Sequence, residues 1–188
     1  MTKRELYEKV YTMLDKTTPL LTDCGELCSH ACCASTEEAS GMYLYPGEEE
    51  MYSDNPTWIR IEQSSFTYGN GKPVSIAICN EHCQRSLRPL ACRIFPLTPY
   101  MDHNRSLTIK VDSRAVPICP LARESSTHQL EENFINTVAN VFRLLIKDNE
   151  IKSFILSLSR LMDEQEDFFM RMTGTQREKK QRRAVRRR

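Results

Sequence analysis

The spacing of apolar residues changes character several times along the chain. Leu6, Val10 and Leu14 recur at helical intervals, and Thr2 with Glu5 three residues on forms a capping box. This predicts a helix over 3–15, ended by Thr17-Thr18-Pro19. Residues 57–63 then alternate, with Thr57, Ile59, Ile61 and Gln63 on one face, and residues 74–79 alternate through Val74, Ile76 and Ile78. Asn70-Gly71 lies between the two runs, which predicts a β-hairpin. A further run, Leu107, Ile109 and Val111, reads as another strand.

From about residue 127 the period returns to helical. Leu130, Phe134, Val138, Val141 and Leu145 form one stripe, with Ser126 and Gln129 as a capping box. Ile151, Phe154, Ile155, Leu158, Leu161 and Met162 form a second, which runs on to about Met172. These are two helices or one bent helix. Met42–Tyr52 follows no clear period, although Pro46 ahead of Glu48-Glu49-Glu50 suggests a short helix. The expected fold is α+β. A small irregular antiparallel sheet and cysteine-bearing loops pack with an N-terminal helix and a C-terminal helical pair. The division expected is a cysteine-cluster domain over 1–125, the helical pair over 126–173 packed on it, and a basic disordered tail over 174–188.

With 40% hydrophobic residues the chain can bury a core of its own. The formal charge of +1 conceals a split: residues 175–188 hold eight Lys/Arg against Glu178 alone, leaving a balance of −6 on the rest. The tail suits phosphate contacts, so nucleic acid is one candidate partner, but no aromatic residues interleave to stack on bases. The C-terminal stripes, ending in Phe168, Phe169, Met170 and Met172, read as packing faces or as a surface for a protein partner. No apolar run has the length of a secretory signal or a membrane span, which places the chain in the cytoplasm and excludes a membrane role.

The cysteines change the picture most. There are eight in 188 residues, set out as Cys24, Cys28, Cys32 and Cys33, then Cys79, Cys83 and Cys92, then Cys119. In a reducing compartment such groups indicate metal or redox chemistry in preference to disulfides, and the adjacent pair Cys32-Cys33 is poorly placed for a relaxed disulfide. Thiolates are soft anionic donors that suit zinc and iron–sulfur clusters. Gaps of a few residues let one turn supply several donors while a distant segment supplies the rest. His30 and His82 lie inside the groups and are alternative ligands. Arg88 and Arg93 can favour thiolates nearby, whereas Arg85 reads as a surface ion-pair residue. Eight sulfurs can fill two four-sulfur sites, or one site with others to spare.

The block Cys83-Gln-Arg-Ser-Leu-Arg88-Pro89-Leu-Ala-Cys92-Arg93-Ile-Phe95-Pro96, with the Cys24–Cys33 group, resembles the YkgJ-type cysteine-cluster family, described as a zinc- or iron-chelating domain. Tyr43-Leu-Tyr-Pro-Gly-Glu48 is similar to that family's short stretch between the blocks, and Cys119 to its trailing cysteine. The likeness spans about 20–120. It departs at Ser29-His30-Ala31, one residue longer than usual, which leaves Cys32 and Cys33 as alternative ligands. The resemblance implies Cys24, Cys28, Cys33, Cys83 and Cys92 as ligands, with Cys32, Cys79 and Cys119 completing the set. The implied cofactor is an iron–sulfur cluster or zinc. A related cluster in the flagellin lysine methylase implies an alternative role in protein modification. Pro89 and Pro96 restrict the backbone either side of Cys92, and Phe95 packs in the core or shields sulfur from water.

No nucleophile elbow or zinc-protease motif occurs. Gly69-Asn70-Gly71 leads into Lys72-Pro73 and not a helix, so it is a turn and not a phosphate loop. No catalytic residue can be named from the sequence.

Overall fold

The first and last α-helices each begin where a side chain accepts otherwise unpaired backbone N–H groups. A computed structural model describes residues 1–33, 41–54, 56–79, 83–123 and 129–173. Thr2 Oγ1 accepts the Glu5 N–H at 3.1 Å and a Glu5 carboxylate oxygen accepts the Thr2 N–H at 2.8 Å. This reciprocal pair starts helix α1, Lys3–Leu14, whose buried face is Leu6, Tyr7, Val10, Tyr11 and Leu14.

Three strands, β1 (Met42–Tyr43), β2 (Ile59–Tyr68) and β3 (Lys72–Cys79), make an antiparallel sheet in the order β1-β3-β2. The hairpin forms where Asn70-Gly71 predicts it, with Tyr68 opposite Lys72 and both Gly69 and Gly71 at positive φ. Strand β2 runs five residues past the alternating segment, through a register irregularity between Gln63 and Thr67. Strand β1 is too short to show a period. Its approach depends on Gly41, where a Cβ would lie 2.5 Å from the Ala77 carbonyl oxygen of β3.

A short helix, α2 (Leu90–Ile94), follows, then strands β4 (Leu97–Met101) and β5 (Leu107–Val111). These two pair only with each other, so the expected single sheet is two. Strand β4 escapes a pattern reading because Leu97, Thr98, Pro99 and Met101 are all buried and no alternation results.

The C-terminal stripes form two helices, α3 (Glu132–Leu145) and α4 (Asn149–Thr173). Helix α3 starts at 132, with Glu131 making no side-chain cap, and the Glu131 N–H bonds the Pro19 carbonyl oxygen at 2.9 Å. The expected start near 127 therefore falls too early, and Ser126 of the proposed capping box lies outside the described residues. The break between the helices is set by Asp148, whose Oδ1 accepts the N–H groups of Glu150 and Ile151 at 2.9 and 3.1 Å. Lys3 pairs with the same carboxylate at 2.8 Å, tying α1 to the start of α4.

One core joins these parts. Val10 and Leu14 of α1, Phe134, Val138 and Phe142 of α3, and Phe154 and Ile155 of α4 pack in a common cluster with Tyr45, Val74 and Leu97. The edge of the Phe154 ring meets Tyr45 and Tyr68, with centroids 5.1 and 5.9 Å away. Near the end of α4, Phe168, Phe169 and Met172 are exposed. Among the described residues no helix is long and apolar enough to cross a membrane. The basic tail from 174 onward lies outside the described residues.

Candidate metal centre

The first cysteine group is shaped by a sequence of tight turns. Asp23 Oδ1 accepts the Gly25 N–H at 2.8 Å and opens a 3-10 turn over Cys24–Leu27. The Gly25 carbonyl then accepts N–H groups from Cys28 and His30 at 3.2 and 3.0 Å, with the Cys28 sulfur 3.9 Å away. Ser29 and His30 both take left-handed backbone angles, φ 51° and 56°, to complete the reversal. The segment is thus a loop with a helical turn, one of the forms its spacing allows. From the far side comes Cys119, 8% exposed, which caps the 3-10 turn Pro120–Ala122 and packs with Ala115, Leu121 and Cys24. Cys24, Cys28, Cys32, Cys92 and Cys119 line one cavity of about 280 Å³.

A second cavity, of about 270 Å³, is lined by Cys32, Cys33, Cys79, Cys83 and Cys92. Cys79 is the last residue of β3, paired with Ile59, so the hairpin delivers it as its sequence position suggests. Cys92 occupies the middle of α2. Arg88 Nε donates to the Cys83 sulfur at 3.4 Å. Trp58 also lines this cavity, is 6% exposed, and its indole N–H has no hydrogen-bond partner among the described residues. Cys32, Arg88, Cys92, Phe95 and Ile118 border both cavities and so stand between them.

A buried polar network holds Cys92 in place. Glu48, fully buried, accepts the Leu90 N–H at 2.6 Å, the Tyr11 hydroxyl at 2.7 Å and the Tyr45 N–H at 2.9 Å. Its carboxylate therefore receives the first N–H of the helix that carries Cys92. Arg93 lies 4.1 Å above the Tyr11 ring and donates to the carbonyls of Arg88, Arg85 and Ser86 at 2.7, 2.9 and 2.8 Å. Arg93 thus acts as a brace for the loop that supplies Arg88. Arg85 reaches only the Asp15 carbonyl, at 3.4 Å, from an exposed position.

Burial and neighbouring charges shift the thiols of both cavities. Burial pushes the Cys24 and Cys119 thiols up, and Asp23 adds to the effect on Cys24. Cys32 and Cys33 titrate as a coupled pair: their mutual hydrogen bond raises Cys32 and lowers Cys33, which Arg88 and His30 lower further. Burial raises Cys92 strongly, and the neighbouring thiols Cys83, Cys33 and Cys79 raise it further against the pull of Arg88. Burial opposes the Arg88 charge, yet its bond to Cys83 and the surrounding thiols raise it overall.

All eight cysteines are unpaired thiols, and all eight border one cavity or the other. They line the space without closing on a point. Among the described residues no group of three or more Cys, His, Asp or Glu donors is gathered tightly enough to hold a metal ion. The donor chemistry nonetheless fits a thiolate-bound centre: soft donors and a cation on Cys83. His30 is exposed and borders neither cavity; its ring covers Gly25, where a Cβ would lie 2.1 Å from Nδ1. His82, the other histidine expected as an alternative ligand, lies outside the described residues.

Three residues of this region carry no local sequence signal for the part they play. Asp23 and Trp58 stand in no motif, and Glu48 reads as an acid at a helix start and as the end of the Tyr43–Glu48 stretch, neither of which points to its contact with Leu90. No protein-family model, curated protein or solved structure matches this chain.

Proposed function

We propose that this chain holds an inorganic centre through cysteine thiolates, and that iron–sulfur chemistry suits it better than a single zinc ion. The observation that carries this reading is the lining of two adjoining cavities by eight free sulfurs from well-separated segments. Inert cysteines would be scattered through the core as small apolar residues. Here only Cys119 is buried, and the others sit half-buried or exposed around shared space.

Cavity size favours the cluster: each space of about 270–280 Å³ is ringed by five sulfurs, more room and more donors than one tetrahedral zinc ion with Zn–S bonds of about 2.3 Å takes up. The resemblance to the YkgJ-type family points to iron or zinc on the same cysteines, and we place the chain in a reducing, cytoplasmic setting where those thiols stay free. When bound, a cluster supplies electron transfer or an iron that activates a ligand. The protein's part is to orient Cys92 through Glu48 and α2, to offset thiolate charge through Arg88, and to limit water through Phe95. A role in protein modification rests on the resemblance alone.

The test is anaerobic purification of the full chain followed by iron, sulfide and zinc analysis. Brown protein with absorbance near 400 nm and matching iron and sulfide is the expected result. Colourless protein with stoichiometric zinc would replace the cluster by a zinc site, and protein free of both metals would end the proposal.

A further inference from the structure

Three sulfurs border each cavity alone, and two border both. Cys24, Cys28 and Cys119 border only the first cavity, and Cys33, Cys79 and Cys83 only the second, with Cys32 and Cys92 in the wall between. Chain position assigns those two: Cys32 shares its loop with Cys24 and Cys28, and Cys92 follows Cys83 through the loop that Arg93 braces.

Building on the thiolate-centre reading above, we propose that the chain holds two distinct four-sulfur centres side by side. One takes Cys24, Cys28, Cys32 and Cys119; the other takes Cys33, Cys79, Cys83 and Cys92. The adjacent pair Cys32-Cys33 is then a divider, each residue serving a different centre. This explains why two vicinal cysteines stand at the end of the first group, where one site would need only one of them. It also explains Cys119, which belongs to a separate buried cluster around Ala115 and Leu121, away from Cys79 and Cys83.

The experiment measures metal and sulfide per chain in the anaerobically purified full-length protein and in Cys119→Ala, Cys79→Ala and the double variant, with Cys24→Ala and Cys83→Ala as second members of each set. Alanine is used because serine can itself ligate. Two centres per wild-type chain are expected, with each single variant keeping half the content and the double variant keeping none. Far-ultraviolet circular dichroism confirms that each variant is folded, and the second members stand in for any that is not. One centre in the wild type that survives Cys119→Ala and Cys24→Ala would overturn the second site while sparing the cluster reading. Loss of everything in every single variant would overturn the division into sets. Wild-type protein with no metal would overturn both proposals, which keeps the two failures apart.

Discussion

The helical half of the molecule and the cysteine half are built on different physics. Around Phe134, Phe142 and Phe154 the side chains are fully buried, and regular helices deliver them from three directions. Around the sulfurs the backbone runs in 3-10 turns, reversals at Ser29 and His30, and a five-residue helix. Apolar burial scales with area and needs no external partner. A ring of half-exposed thiols gains little by burial. The contrast teaches that the packed core and the cysteine-lined cavities rest on separate interactions, joined through Glu48 and Arg93.

The strongest way to break that contrast is to damage the packed half. Phe154→Ala removes a fully buried ring that contacts Tyr45 and Tyr68, and should cost about 3–5 kcal/mol in chemical denaturation. The folded fraction should still carry the wild-type metal content per chain. A proportionate loss of metal from folded protein would show that the halves are one unit.

Glu48 sharpens the comparison because it touches both halves. Burial raises it to about 7, against hydrogen bonds from Leu90, Tyr11 and Tyr45. The folded value lies above the unfolded one near 4.3, so the protonated form is the one folding favours. Its stabilising share is complete below about pH 4.3 and is lost as pH rises to about 7, an effect on the order of 3 kcal/mol. Glu48→Gln should flatten that slope in denaturation midpoints compared between pH 5 and pH 8. An unchanged slope would mean that Glu48 titrates normally in the folded chain.

The smallest effect should follow removal of the centre. Chelation under reducing, anaerobic conditions should leave the helical circular dichroism of α1, α3 and α4 unchanged. Amide exchange should quicken only in 24–33 and 83–92. Loss of the helical signal would make the centre structural for the whole fold.

Elements with a strong single period were legible in the sequence. The stripes of α1, α3 and α4 and the Asn70-Gly71 hairpin each carry a local cause, and the structure follows them. Strand β4 was not legible, since burial on both faces and Pro99 erase the alternation. The start of α3 was misread: residues 129–131 are not helical, and the Pro19 carbonyl accepts the Glu131 N–H from far along the chain. At the candidate site the residue types were plain. Their division between two cavities was not, because spacing along the chain says nothing about which side of a wall a sulfur occupies. Arg93 shows the same limit: its neighbours in sequence suggest thiolate partners, but three carbonyls and the Tyr11 ring take its charge.

X-ray absorption at the metal edge of the anaerobically purified full-length protein tests the central claim most directly. The account predicts a first shell of sulfur alone, at about 2.3 Å, with iron neighbours beyond it. A first shell dominated by nitrogen or oxygen would contradict it.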